Sequence, residues 1–445
     1  MTAERPFLDR VQAGLVAATA ATCLLSIFSA QLALALALAV FVLRLARGQA
    51  KLQRTPLDTP IVVFSVWTLL SAAFSTKPLV AHEDAKKLVL FALFYLALES
   101  AALGRERERV MDAVLLGGLA LAGAAILQFY FLGFDTMNTR PRSFLGHYMT
   151  ASGLSMAVLI VAAARLAFLR AWALPTRADY RLLGGLAAGL VVLTALQGVG
   201  VLGLEAERLF VAAVALTALR MALAGDRWPS LGTSVTLALL AFAFSAWSLV
   251  LSRTRNAWLG ALTGLLVVSV LRSRRMVWLV AAAVAAVLIV RPATVIDRLT
   301  FTDESSRDRY YMWQAGIDMI LDRPVFGQGP GMIVVTYPQY RWPEAPKPFA
   351  PHLHDNALQI AAERGIPCAV FWLWLVAAAM ADAWRECRRG LFGPGWVAAA
   401  SLALFAAVMA AGVFEYNFGD SEILMLILIV ASLPYALRRE RAAAP

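Results

Sequence analysis

Long apolar runs separated by short polar breaks make up most of the chain. Fourteen can be marked, near 11–30, 31–46, 59–75, 86–103, 110–132, 149–169, 182–200, 208–224, 231–251, 256–271, 276–290, 366–384, 394–414 and 423–437. A membrane-crossing helix needs roughly 20 apolar residues, and several of these runs are shorter. The pair at 182–200 and 208–224, rich in glycine and divided by Glu205, Glu207 and Arg208, has the character of interfacial segments. Twelve spans therefore fit the pattern as well as fourteen. Backbone polar groups left unpaired in hydrocarbon are too costly for irregular structure to face lipid. The expected fold is all-α: a polytopic membrane bundle of about 12 (12–14) transmembrane helices.

The apolar pattern breaks once at length, from Arg291 to Gly365. Asp303-Glu304-Ser305-Ser306 carries the capping and acidic residues that open a helix, predicted to run to about Leu321. Tyr310, Trp313, Ile317 and Ile320 recur on one of its faces, and Arg323-Pro324 stops it. Phe326-Gly327-Gln328-Gly329-Pro330-Gly331 predicts a tight loop, and Tyr337 to Pro351 a loop stiffened by prolines and aromatics. A second short helix is expected from Asp355 to Arg364, ending at Gly365-Ile366-Pro367. The organisation is then a helix bundle over 1–290, a lid with two short helices over 291–365, and C-terminal helices with a tail over 366–445.

Composition agrees with that pattern: 60% of residues are hydrophobic, 16% are charged and the mean hydropathy is +0.69. The net charge of +11 falls mostly in alternate loops, such as those holding Arg44 to Arg54, Arg105 to Arg109, Arg272 to Arg275 and Arg385 to Arg389. Basic loops mark the cytoplasmic side, so both termini are expected there and the 291–365 segment on the opposite side. The charge is read as an orientation signal and not as nucleic-acid binding. Arg5, Arg10 and the small pair Ser29-Ala30 flank the first apolar run as in a signal peptide, but a second run follows at once, so an uncleaved span is expected. Cys23, Cys368 and Cys387 all lie outside 291–365, which must be held by packing and not by disulfides.

Arginines on the side opposite the basic loops need a reason to be there. They are Arg140 and Arg142 in one loop, Arg253 and Arg255 in another, and Arg291, Arg298, Arg307, Arg309, Arg323, Arg341 and Arg364 in the long segment. The guanidinium fork matches phosphate oxygens in two-point contacts and keeps its charge, so convergence of these loops would suit a lipid-linked pyrophosphate. Any one of them could equally snorkel to lipid headgroups. Among the four histidines, His354 stands at a helix start and can take a proton from a hydroxyl or hold charge against phosphate. His352 and Asn356 would orient it or contact sugar, and His147 would either bind pyrophosphate or acceptor or take an interfacial structural role. Metal ligation, helix capping and surface placement are the competing readings of the His-x-His pair. Asp420 and Glu422 are spaced to hold a divalent ion, but oxygen-ligand sites need several carboxylates, so metal-independence is expected.

Four blocks in this order resemble the O-antigen ligase family, within a superfamily that includes O-antigen polymerases and protein O-oligosaccharyltransferases. They are Arg140-Pro141-Arg142-Ser143-Phe144-Leu145-Gly146-His147, the Arg255 block Leu251 to Leu259, Arg309 to Trp313 with Pro324 to Gly331, and His352-Leu353-His354-Asp355-Asn356-Ala357-Leu358-Gln359. Asn256 stands where that family has glycine, and Asp355 where asparagine is usual. The resemblance implies a GT-C-like membrane glycosyltransferase of the bacterial inner membrane with a periplasmic site. It would transfer O-antigen from undecaprenyl pyrophosphate to a sugar hydroxyl of lipid A–core, among membrane lipids and without a cofactor. Arg255, Arg142, Arg140 and Arg309 would hold the pyrophosphate, in that order of preference, and His354 would act as base. A polymerase or oligosaccharyltransferase would share the donor. A secondary transporter is the alternative of another class, marked by mid-membrane charges in repeated halves.

Overall fold

A computed structural model describes residues 6–101, 104–170, 177–198, 210–217, 231–290 and 304–443, and among these there is no strand. The helices are α1 (Phe7–Thr22), α2 (Ile27–Ala46), α3 (Asp58–Ala73), α4 (Pro78–Ala85), α5 (Ala92–Ser100), α6 (Gly104–Phe131), α7 (Tyr148–Ala167) and α8 (Arg177–Gly198). They continue with α9 (Leu231–Ser252), α10 (Arg255–Arg272), α11 (Arg274–Val290), α12 (Glu304–Asp322), α13 (Ile333–Tyr340), α14 (Asn356–Arg389), α15 (Trp396–Ala411) and α16 (Ser421–Ala443). The chain is an all-α polytopic membrane protein.

Every apolar run meets a helix, but only seven helices among the described residues are long and apolar enough to cross a membrane. Local chemistry shortens some of the others. The run at 86–103 divides into a 3-10 turn, Lys86–Phe91, and α5. The first two runs meet at Cys23–Ser26 and not at residue 30, because the Ser26 hydroxyl accepts from Ser29 N–H and starts α2 there. Ser29-Ala30 thus lies in a helical turn. Glu205, Glu207, Arg208, Arg291, Arg298 and Asp303 lie outside the described residues.

The bundle centre is built from α6, α7, α9, α10, α15 and α16, where α10 packs on α15 and α7, and α9 on α6 and α7. Small residues permit close approach: a Cβ on Gly260 would lie 2.8 Å from the Ala407 carbonyl oxygen, and one on Gly117 would overlap Ala21 backbone. At one face, Asp382 and Glu386 of α14 are buried beneath Arg438, Arg441 and Tyr435 of α16.

At the other face, α12 runs close to its expected limits. The expected stiff loop after residue 336 begins inside a helix, α13, despite Pro338. Ile333 and Tyr337, one turn apart, are both fully buried beside Met312 and Met319 of α12, and this packing offsets the bond lost at proline. The glycine loop holds a left-handed backbone at Gly327, Gly329 and Gly331. It closes on a break in α14 at Gly365, where φ is 82° and ψ is 163°. Backbone groups that the break frees are taken up there: Gln328 N–H donates to Ala362 O at 2.9 Å, Gly329 N–H to Glu363 O at 2.7 Å and Ile366 N–H to Pro324 O at 2.8 Å. From α3, Ser71 Oγ donates to Phe326 O at 2.6 Å and Trp67 Nε1 to Arg364 O at 3.1 Å. The short helix 356–364 is thereby fixed to the bundle and continues through the kink into the next span.

Candidate active site

A cavity of about 560 Å³ opens at this face, between α7, α10, α12 and the turn after α15. Arg140, Arg255 and Arg309 line it together with Trp258, Trp313 and Phe414. Each arginine comes from a different segment, so the three loops do converge. The Arg140 guanidinium lies 4.3 Å from the Tyr148 ring centroid, and its Nε donates to Met137 O at 3.1 Å. Arg255 opens α10 after a turn in which Arg253 is left-handed. Its Nη2 donates to Ser306 Oγ at 3.2 Å, which ties α10 to the first turn of α12. Arg309 is one turn further along, with Nη1 on Ser305 Oγ at 3.2 Å. Its buried Nε has no hydrogen-bond partner among the described residues, leaving a donor to satisfy.

Arg142, ranked beside Arg255 from sequence, does not join them. It is exposed, with its guanidinium 5.7 Å from the Phe134 ring centroid. Its backbone N–H is held by Gln128 Oε1 at 3.1 Å, an arrangement that shapes the loop and turns the side chain outward. His147 sits at the N-terminus of α7, where its Nδ1 accepts from Met149 N–H at 3.3 Å. It is a helix cap beside the site. Burial lowers its pKa, with the charges of His354 and Arg140 adding to the effect and Glu415 opposing it.

His352 and His354 meet a residue that no sequence block marked. His354 Nδ1 lies 3.0 Å from Glu415 Oε2, and His352 Nε2 lies 3.5 Å from Glu415 Oε1. The two imidazoles are in edge contact, with centroids 4.2 Å apart. Burial opposes ionisation of Glu415, but the hydrogen bond and charge of His354, with His352 and Arg309, outweigh it and hold the carboxyl down to about 2. Burial drives His352 down as well, to about 4, against the attraction of Glu415. The cluster adjoins the cavity through Phe414, the neighbour of Glu415, and through the charge of Arg309. Glu415 was missed because its contact spans 61 residues of sequence. The available signal was an acid inside the short polar break between two apolar runs.

Asn356 is buried, and its amide is spent on protein: Nδ2 donates to Asn417 Oδ1 at 2.8 Å, and Oδ1 accepts from Phe418 N–H at 3.0 Å. It fastens the start of α14 to the loop that carries Glu415. Asp355 caps the same helix by accepting from Leu358 N–H at 2.7 Å. Aspartate and asparagine both perform that task, which accounts for the exchange at this position.

The ligand atoms of His352, His354 and Glu415 all lie within 4.8 Å of one another, a donor set that a zinc-class ion could accept. Asp420 and Glu422, the pair considered from sequence, are not in it. Asp420 Oδ2 accepts from Thr150 Oγ1 at 2.9 Å. Burial raises the Asp420 carboxyl to about 7, with the charges of Glu415 and Glu422 contributing. The folded state therefore holds this proton more tightly than the unfolded chain. That contribution favours folding in acid and is lost as pH rises from the ordinary value of 3.8 through about 7. Asp420→Asn, neutral at every pH, is expected to flatten this part of the thermal midpoint's pH dependence; an unchanged slope would refute the assignment.

Residues 240–373 match the family model described as O-Antigen ligase. The matched segment contains Arg255, Arg309, His352, His354 and Asn356, while Arg140 and Glu415 lie outside it. A search of curated proteins found no match. The match covers less than a third of the chain, and it is that segment which is similar to O-antigen ligases. The seven apolar helices, together with this match, support a multi-pass membrane protein.

Proposed function

From an O-antigen ligase-like region that contributes two of three convergent arginines, we propose that the protein transfers O-antigen from undecaprenyl pyrophosphate to a sugar hydroxyl of lipid A–core. The reaction runs at the periplasmic face of the inner membrane, with both termini cytoplasmic, as the distribution of basic loops favours. The observation that carries the reading is the single cavity lined by Arg140, Arg255 and Arg309. Three fixed cations in a partly dry site stabilise the charge that develops on a departing pyrophosphate. Trp258, Leu259 and Leu262, down the same side of α10, offer an apolar wall to the polyprenyl chain.

His354 is the general base. With Glu415 ionised, its Nδ1 carries the proton shared with the carboxylate, and Nε2 is left to accept the acceptor's hydroxyl proton. The hydroxyl oxygen then bonds to the anomeric carbon as the bond from that carbon to pyrophosphate breaks. Undecaprenyl pyrophosphate departs with the electron pair, and the anomeric centre inverts. His352, neutral and against the same carboxylate, keeps Glu415 in place. No step calls for a metal.

Purified protein should be supplied with lipid-linked glycan plus lipid A–core, a second lipid-linked glycan, or an acceptor protein. Product on lipid A–core is expected; product on either other acceptor alone would reassign the enzyme as a polymerase or an oligosaccharyltransferase. Transfer in detergent, with no gradient present, also separates it from a secondary transporter. His354→Ala should lose roughly two to four orders of magnitude in kcat, and full retention would remove the base. Arg255→Lys, keeping charge without the fork, should fall about a hundredfold. Activity should survive EDTA; loss restored by added zinc would make the histidine cluster a metal centre.

A further inference from the structure

His354 is one of three non-glycine residues in the described chain with positive φ, at 54°. Side chains other than glycine take this conformation only where surroundings impose it. The source is the residue before it. Leu353 N–H donates to Gln359 Oε1 at 2.7 Å, and Leu353 O accepts from Trp313 Nε1 at 3.0 Å. Its side chain is fully buried against Gly316 of α12, where a Cβ would come within 2.7 Å of Leu353 Cδ1. Leu353 is therefore held by its donor, its acceptor and its side chain, and His354 has little freedom but to project toward Glu415.

Gln359 is itself held. Its Nε2 donates to Glu363 Oε1 at 2.8 Å, and that same oxygen accepts Gly331 N–H at 3.0 Å. A line of hydrogen bonds thus runs from the glycine loop through Glu363 and Gln359 to the histidine loop. Gln359 is 1% exposed, so it is out of a substrate's reach. Trp313 spends its indole N–H on Leu353 while its ring lines the cavity.

We propose that Gln359 and Trp313 are positioning residues for transfer: by gripping the two ends of the Leu353 backbone they fix His354 in its left-handed conformation with Nδ1 on Glu415. This rests on the reading of His354 as base. A base displaced by about 1 Å can cost a hundredfold in rate, while donor affinity, set in the arginine cradle, stays nearly constant.

The test is a double-mutant cycle on the full-length purified protein, with lipid-linked glycan and lipid A–core as substrates. Gln359→Met keeps length and volume but removes both hydrogen bonds; Trp313→Phe keeps a ring but removes the N–H. Each should lower kcat roughly ten- to a hundredfold, with KM within about twofold. Neither should lower the residual rate further when added to His354→Ala, because a positioning residue has nothing left to position. Equal losses with and without His354, or kcat retained by both folded single variants, overturn the proposal. If Gln359→Met does not fold, Trp313→Phe carries the same cycle. A fully active His354→Ala would instead strike the base itself, so the two failures are distinguished within one set of measurements.

Discussion

Glu415→Gln is expected to slow glycan transfer by roughly two to four orders of magnitude while KM stays close to its starting value. The carboxylate is buried and faces both imidazoles, one per oxygen, at 3.0 and 3.5 Å. A carboxylate accepts from both rings and stabilises the imidazolium that forms when His354 takes the proton. An amide offers one oxygen and one NH2 group, and cannot serve both rings in that way. If NH2 faces His354, Nδ1 must become the acceptor and Nε2 carries the proton, which is the wrong tautomer for a base. If NH2 faces His352, the tautomer survives but the counter-charge is gone. Glu415 does not line the arginine cavity, so donor binding should not register the change. A Glu415→Gln protein with normal kcat would overturn the role given to the carboxylate. Glu415→Asp retains the charge at a shorter reach and should fall between the two.

The largest loss of stability is expected from Gly365→Ala. The backbone there lies in a region essentially closed to other residues, and a Cβ would stand 1.9 Å from Val325 O. Conformational strain and overpacking together should cost about 3 kcal/mol or more. The damage should also spread, because Gly365 is where the glycine loop and α3 grip α14. Thermal unfolding in detergent should show a clearly lower midpoint and a less cooperative transition. Gly184→Ala, on a helix where the added methyl meets nothing within 4 Å among the described residues, is the control and should be neutral or slightly stabilising. Equal midpoints for the two variants would mean that the kink does not bear the load assigned to it.

Much of this is legible in the sequence. Apolar periodicity located the helices because hydrocarbon permits little else. Capping residues at 304–306 and Pro324 placed α12, and the glycines at 327, 329 and 331 announced a backbone that only glycine readily adopts. The meeting of Arg140, Arg255 and Arg309 followed from charges standing where orientation disfavours them. What could not be read depended on packing. Arg142 resembles Arg140 in sequence, but its backbone N–H is held by Gln128 and its side chain is exposed. α13 forms because Ile333 and Tyr337 reach a buried cluster, against the local preference of Pro338. Asn356 follows the His-x-His pair and so reads as orienting His354 or contacting sugar, but its amide is spent on Asn417 and Phe418. Glu415 became visible only when α14 and the turn after α15 were placed side by side.

α14 runs from the histidine loop at Asn356 to the arginine-covered pair Asp382 and Glu386, with its one break at Gly365. Mechanically it is a crank, pinned at the elbow and anchored at the far end. The pin at the elbow isolates the histidine loop from the shaft: loosening Arg438 or Arg441 would free the far end while His354 stays on Glu415. A segment cut out at 291–365 would lose the shaft and the bearing together.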